Sequence, residues 1–348
     1  MKENSKFHIP HSTLKIDLIY LWVDGADPVW LAKKEAALAP VNRSVHNSAK
    51  ASGRFDDNDE LKFSLRSVSR FMPWVNHVYI ITDGQVPPWL DTKNPRVSVT
   101  DHRDIIPAQY LPLFNSCAIE LFAHRIPGLS EHFILANDDM FVGAPITPEF
   151  FFNANGDPIV IVRGKRYFTN IFGNAGFAVA ARRRKLVGRR VMNALRLVFD
   201  LTGRRYYTTI SHSFEPMRKS YMMDILARYG DELIMPTATT FRETGNIQRI
   251  FFPLYNNAMS RADLVEDWRL GARRTMLVSN ESWLGILWRA ILRNSPFVRR
   301  DFIDIKRGVF RKVSSDRPAV FCINNSAAFA KAKRDMEKLF PNKSEFET

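Results

Sequence analysis

Dense apolar runs alternate with polar stretches of helical periodicity through the first 140 residues. Residues 16–23, "IDLIYLWV", are β-branched and aromatic and halt at "DGADP", which predicts a buried strand stopping at a Gly/Pro turn. "NDELKFSLRSVSRF" spaces Leu61, Leu65, Val68 and Phe71 at helical intervals behind Asp and Asn capping candidates. "HVYIITDG" predicts a second strand, "RVSVTDH" a third, residues 115–126 another helix, and "HFILAND" a fourth strand. Strands alternating with helices in this way predict an α/β fold with a mostly parallel central sheet flanked by helices.

Three of the four strands end in acids: Asp24, Asp83, and the pair Asp138 and Asp139. Parallel strands would bring these ends to one edge, the edge at which α/β sheets bind ligands. A carboxylate set against the apolar run "HFIL" must be wet, paired or bound to a cation, because an unpaired buried charge costs several kcal/mol. Asp138 and Asp139 therefore read as a site for a divalent cation against a diphosphate, as one base and one ligand, or as a solvated strand end. Glu120 lies on the helix preceding that strand. Further on, His212 stands in "TTISHSFEPM" and Arg242 in "TTFRETGN", where a guanidinium fork suits a phosphate. The turn carrying Trp22, Val23, Asp24 and Gly25 could wrap a nucleotide with its backbone amides.

After about residue 155 the pattern becomes basic. Residues 163–205 hold twelve Arg or Lys and one acid, Asp200. The chain divides accordingly into an extension (1–15), an α/β nucleotide-binding part (16–155), a basic helical insertion or subdomain completing the site (156–330), and a tail (331–348) expected to form a surface helix with a frayed end. The net charge of +14 favours acidic partners. No RNP aromatic motif, zinc finger or basic-zipper heptad accompanies it, so no nucleic-acid partner is expected. Cys117 and Cys322 lie far apart with no neighbouring Cys or His at zinc spacing, which argues against a disulfide framework or structural zinc. No leader-like h-region and no uninterrupted apolar span appear in the sequence, so a cytoplasmic location is expected. "WLGILWRAILRN" reads as an amphipathic helix that lies in the core or, beside its basic flank, against the inner membrane face.

Together these segments resemble the Stealth family of sugar-phosphate transferases. "KIDLIYLWVDGADPVW" resembles its first region. "DNDELKFSLRSVSRFMPWVNHVYIITDGQVPPWL" through "LPLFNSCAIELFAHRIPGLSEHFILANDDMFVG" is similar to its second, "SHSFEPMRKSYM" with "TTFRETGN" to its third, and "VFCINNS" to its fourth. The resemblance implies a Rossmann-like or GT-A-like fold and transfer of a sugar 1-phosphate from a UDP-sugar to an acceptor sugar hydroxyl. It implies catalytic roles for Glu120, Asp139, His212 and Arg242, and substrate binding by Trp22, Val23, Asp24, Gly25, Arg66, Asn115 and Ser116. It also implies Mg²⁺ (or Mn²⁺) held by Asp138, Asp139 and Asn325. The fourth region commonly reads Cys-Ile/Leu-Asn-Asp; here Asn325 supplies only a neutral carbonyl oxygen. Asp139 or His212 takes the acceptor proton, and the sequence leaves both open. The expected acceptor is an oligosaccharide or capsule polymer, for which the basic segment offers a track, and peripheral contact with the inner membrane or the capsule assembly machinery is expected alongside. The rival readings are a metal-dependent glycosyltransferase releasing nucleoside diphosphate and, more distantly, a polyanion-binding protein without catalysis.

Overall fold

The computed structural model describes residues 14–41, 45, 47–50, 54–162, 186–206, 210–267, 269–270, 275–279, 302–304, 309–323 and 326–348. Four strands, β1 (Ile16–Leu21), β2 (Val78–Thr82), β3 (Val97–Asp101) and β4 (His132–Asn137), run parallel. β1 lies between β2 and β4, with Ile19 in register with Tyr79 on one side and Leu135 on the other. Successive side chains of a strand point to opposite faces, so a strand buried on both faces must be apolar throughout. Ile19, Ile81, Phe133 and Leu135 accordingly pack with Ile119, Phe122, Met222 and Phe251 on one face. Leu18, Tyr20, Ile80 and Ile134 meet Leu61, Leu65 and Val68 on the other. Asp17, at the amino end of β1, is buried but satisfied: Asn76 Nδ2 and the Ser130 amide each donate to its carboxylate at 2.7 Å.

The helix α1 (Pro28–Leu38) follows β1, its first turn capped by the Asp27 carboxylate accepting from the amides of Val29 and Trp30. α2 (Glu60–Phe71) turns its apolar stripe to the sheet, while two buried serines tie it to the short strand β5 (Met140–Val142). Ser64 Oγ donates to the Met140 carbonyl, and Ser67 Oγ accepts from the Val142 amide at 2.9 Å. α3 (Ser116–Leu121) precedes β4. β6 (Ile159–Val162) belongs to a separate two-stranded parallel sheet.

The later chain folds back onto this framework. α4 (Leu186–Thr202), inside the basic segment, buries Met192, Leu195 and Val198 in the core of the main sheet. The strand β7 (Glu215–Arg218) adds antiparallel to β4, completing the order β3-β2-β1-β4-β7. α5 (Lys219–Thr237) and α6 (Phe251–Ala258) cover that face. β8 (Asp263–Glu266) pairs with β6. β9 (Thr275–Ser279), β10 (Phe302–Asp304) and β11 (Val320–Ile323) form a second sheet with β5, in which Cys322 stands opposite Met140. α7 (Val309–Asp316) and α8 (Ser326–Leu339) close over it through Val313, Phe329 and Met336.

The tail corrects an expectation. α8 buries Ala328, Phe329, Ala332 and Met336, and the last residues are docked rather than frayed. Phe346 is buried, its carbonyl accepts from the Asp91 amide at 2.9 Å, and Glu347 forms a two-pronged ion pair with Arg66 at 2.7 and 2.8 Å. The helix expected over "WLGILWRAILRN", and residues 163–185 of the basic segment, lie outside the described residues.

Candidate active site

A cavity of about 590 Å³ opens over the carboxyl ends of β1, β2 and β4. Because β7 is antiparallel, its amino end, Glu215, arrives at the same edge. The wall includes Trp22 and Val23 after β1, Asp83 after β2, Asn137 at the end of β4 with Asp138 and Asp139 just beyond it, and Ser116 and Glu120 on α3. Arg54, Arg190, His212, Arg242 and Arg249 also line the cavity.

The β1 turn depends on glycine for a specific reason. The Gly25 amide donates to the Phe55 carbonyl at 2.7 Å, and a Cβ on Gly25 would lie 2.5 Å from that oxygen. Asp24 caps its own turn, accepting from the Ala26 amide at 2.8 Å, while its backbone is held on both sides by the Gln85 amide group. Neither Asp24 nor Gly25 lines the cavity; they shape the segment that presents Trp22 and Val23.

Asn115 has a comparable positioning role. It caps α3, its Oδ1 accepting from the Cys117 amide at 3.2 Å, and its Nδ2 donates to Asn246 Oδ1 at 3.0 Å and the Thr237 carbonyl at 3.1 Å. This joins α3 to the loop carrying Arg242, and Phe114 stacks on Phe241 at 5.3 Å alongside. Ser116 and Arg242 thereby meet, the guanidinium donating to the Ser116 hydroxyl.

At the end of β4, acids crowd together. Burial drives the Asp138 carboxyl well above its usual range, and the charges of Asp139, Glu60 and Asp57 push it further the same way. Burial raises Asp139 to about 6, against the opposing pulls of a hydrogen bond from the Cys322 thiol and of Arg249. Asp139 Oδ1 is buried without a hydrogen-bond partner. Two adjacent buried carboxylates whose charged forms burial disfavours, one oxygen of them orphaned, fit a hard divalent cation, whose charge would stabilise them. Asn325, the third expected ligand, lies outside the described residues.

Behind the acids sits a residue that the sequence reading missed. Arg249 is buried between Glu120 and Glu215, donating to them at 2.8 and 2.9 Å, and to Asn137 Oδ1 at 3.1 Å. Burial alone would lower its pKa, but the two glutamates overturn that and hold the guanidinium charged. Burial raises both glutamates, with Arg249 opposing. Glu120 is thus locked in a buried triad, whereas Arg242 is half-buried. Arg190 donates to the Cys117 sulfur at 2.9 Å, and the thiol is pushed up to about 11 by burial. Burial, then repulsion from Arg190, lowers Arg54.

The structure therefore brings Trp22, Val23, Ser116, Glu120, Asp138, Asp139, His212 and Arg242 to one cavity. It does not bring Arg66 there: that side chain reaches away to Glu347 and the Phe340 carbonyl at 3.0 Å. Arg66 sits on α2, and its partners belong to the docked tail.

Carboxylates and arginines lining one cavity over the carboxyl edge of a mostly parallel sheet define an α/β protein with a charged ligand pocket. The family is settled by comparison with known proteins. Stealth protein conserved region 1 matches residues 14–39, and conserved region 2 residues 54–160. A capsular polysaccharide phosphotransferase of Haemophilus influenzae is 32% identical over 255 residues, 72% of this chain and 68% of that protein. The capsular polysaccharide phosphotransferase cps1A of Actinobacillus pleuropneumoniae is 35% identical over 237 residues, 67% of this chain and 62% of that one. The chain belongs to the Stealth family, as its motifs led us to expect. It spans between half and about two thirds of the length of the first two curated relatives it matches. Among solved structures, a galactosyltransferase in complex with donor and acceptor sugar analogues aligns over 94% of this chain and 96% of that one, at 9% identity and a TM-score of 0.42. Among the described residues, no helix is long and apolar enough to cross a membrane.

Proposed function

We propose that this protein transfers a sugar 1-phosphate from a nucleotide-diphosphate sugar to a sugar hydroxyl, releasing nucleoside monophosphate and building a phosphodiester-linked capsular or exopolysaccharide. The donor we favour is a UDP-N-acetylhexosamine. One observation carries the reading: a single cavity is lined both by Asp138 and Asp139 and by Arg54, Arg190 and Arg242. Phosphoryl transfer asks a protein mainly to position its reactants and balance charge, and this cavity offers both signs of charge. The curated relatives named as capsular polysaccharide phosphotransferases support the same class of reaction.

In this reading the acceptor oxygen attacks the sugar-bearing phosphorus. An O–P bond forms, the bond from that phosphorus to the bridging oxygen breaks, and the nucleoside monophosphate leaves with the electron pair. The acceptor proton passes to Asp139 or His212, which both line the cavity. Arg242, oriented by Ser116, and Arg190 face the phosphate oxygens. Glu120, fixed by Arg249, acts by holding that wall in place. Mg²⁺ would be held by Asp138 and Asp139, and would supply charge neutralisation to the diphosphate.

The test is the identity of the released nucleotide. The protein is incubated with UDP-N-acetylhexosamine, Mg²⁺ and a short capsule-type acceptor, and UMP is resolved from UDP. Acceptor-dependent UMP is the expected result. UDP would overturn the proposal and make the protein a glycosyltransferase, which breaks the sugar–oxygen bond instead. The polymer-track role of the basic segment has its own readout: acceptor affinity falls as salt rises.

A further inference from the structure

Cys322 takes no part in the reaction described above, yet it stands beside two residues that do. Asp139, His212 and Cys322 each offer one ligand atom, and these atoms all lie within 4.8 Å of one another. They come from three separate places: the turn after β4, the loop before β7, and β11. The arrangement is fixed by backbone pairing. β11 lies antiparallel to β5, and the Ile323 amide donates to the Asp139 carbonyl at 3.0 Å, so Cys322 and Asp139 cannot drift apart. Cys322 is wholly buried, whereas Asp139 and His212 face the cavity and give a cation its way in. The orphaned Asp139 Oδ1 marks an oxygen with coordination capacity to spare.

This donor set differs in kind from an Mg²⁺ site. Magnesium takes oxygen and keeps its waters, while a carboxylate, an imidazole and a thiolate together suit zinc and its borderline neighbours. Bonds of about 2.0–2.3 Å to a tetrahedral ion place its ligand atoms about 3.5 Å apart, so an inward movement of about an ångström closes the set. Three protein ligands leave the fourth position open toward the cavity.

We propose that Asp139, His212 and Cys322 form a three-ligand site for a zinc-class divalent cation, and that its occupancy switches transfer off. Binding displaces the thiol proton to solvent and engages both candidate proton acceptors, leaving neither to take the acceptor hydroxyl's proton. The metal site stands on geometry alone; the inhibition rests on the function proposed above.

The two parts are tested separately. The full chain, freed of other metals, is titrated with Co²⁺ as a spectroscopic stand-in, and the bound Co²⁺ is then competed off with Zn²⁺. One Co²⁺ per chain is expected, with tetrahedral d–d absorption and a thiolate-to-cobalt charge-transfer band. Cys322→Ser, with Cys322→Ala as a second variant should the serine fail to fold, removes that band. Either weakens binding by at least about 10-fold, the low end of what loss of an outer-shell partner alone costs a metal site. His212→Gln weakens binding but keeps the band, and Cys117→Ser changes neither. Absence of the band from the unmodified chain, its persistence in both Cys322 variants, or its loss in Cys117→Ser would each overturn the site. For the inhibition, Zn²⁺ at concentrations that displace Co²⁺ should abolish Mg²⁺-supported nucleotide release; unchanged turnover at full occupancy overturns that half. Failure of the functional reading itself shows separately, as no acceptor-dependent UMP before zinc is added.

Discussion

Replacing Arg249 by methionine tests the electrostatic heart of the site. The substitution keeps an unbranched apolar stem and removes the cation that serves two buried carboxylates, Glu120 and Glu215, at 2.8 and 2.9 Å. Removing one partner of a buried ion pair costs about 3–5 kcal/mol, since the other charge is left without compensation. Two carboxylates are orphaned here, so the upper end, about 5 kcal/mol, applies. Unfolding entropy of about 2.1 cal/mol/K per residue makes one degree of Tm worth about 0.7 kcal/mol for a chain of this length, so Tm falls by about 7 °C. Differential scanning calorimetry reads this directly.

The pH dependence carries the sign. Burial already raises Glu120 and Glu215 against the pull of Arg249; without it they rise further. The folded variant then holds protons that the unfolded chain releases above its ordinary glutamate pKa of about 4.3. Its stability falls as pH rises through the raised folded values, so the deficit against the wild type is smaller near pH 5 than near pH 8. Changing Glu120→Gln and Glu215→Gln alongside Arg249→Met removes the uncompensated charge and recovers most of the loss. A Tm drop under about 2 °C, or a deficit independent of pH, would refute the reasoning.

Three other outcomes follow from the geometry. Asp139, raised to about 6 by burial, must be ionised to accept a proton or engage a cation. The metal-free carboxyl therefore titrates near that value by NMR; an ordinary carboxylate value of about 4 would contradict its described surroundings. Gly25→Ala drives a Cβ to 2.5 Å from the Phe55 carbonyl oxygen, an overpacking that costs about 1–3 kcal/mol. Donor KM should rise more than kcat falls, and unchanged stability and KM would show that the turn yields freely. Arg66→Ala strips the cation from the nearly fully buried Glu347, a loss of about 3 kcal/mol that frees the tail. Limited proteolysis should then cut behind α8 faster while donor KM holds; a raised KM with an intact tail would instead return Arg66 to the binding site.

The framework was legible where one physical cause acted alone. β1, β2 and β4 are buried on both faces, which demands the unbroken apolar runs that the sequence displays, and their carboxyl ends carry the acids. β7 gave no such signal. Its four residues, Glu-Pro-Met-Arg, contain no apolar run, and it exists because β4 offers a free edge and Glu215 finds Arg249 there. The tail misled for a related reason: its polar composition looks frayed, but one phenylalanine and one glutamate in fitting sites are enough to dock it. Arg66 shows the limit of motif reasoning, because a residue inside a matched region can serve packing between elements as readily as substrate.

Arg249 was the hardest to see. In a chain with 50 lysines and arginines, nothing local distinguishes it from a solvated surface charge. Its importance arises only in three dimensions, where α3, β4 and β7 converge to supply Glu120, Asn137 and Glu215 as its partners. The same convergence alters the meaning of Glu120. Read along the chain it is an acid within reach of a catalytic pocket; in the fold its charge is already committed to Arg249, which makes it a support for the wall. Arg54, Arg190 and Arg242 remain along the cavity, and in the proposed reaction they are the cations that would distinguish a diphosphate from a neutral sugar.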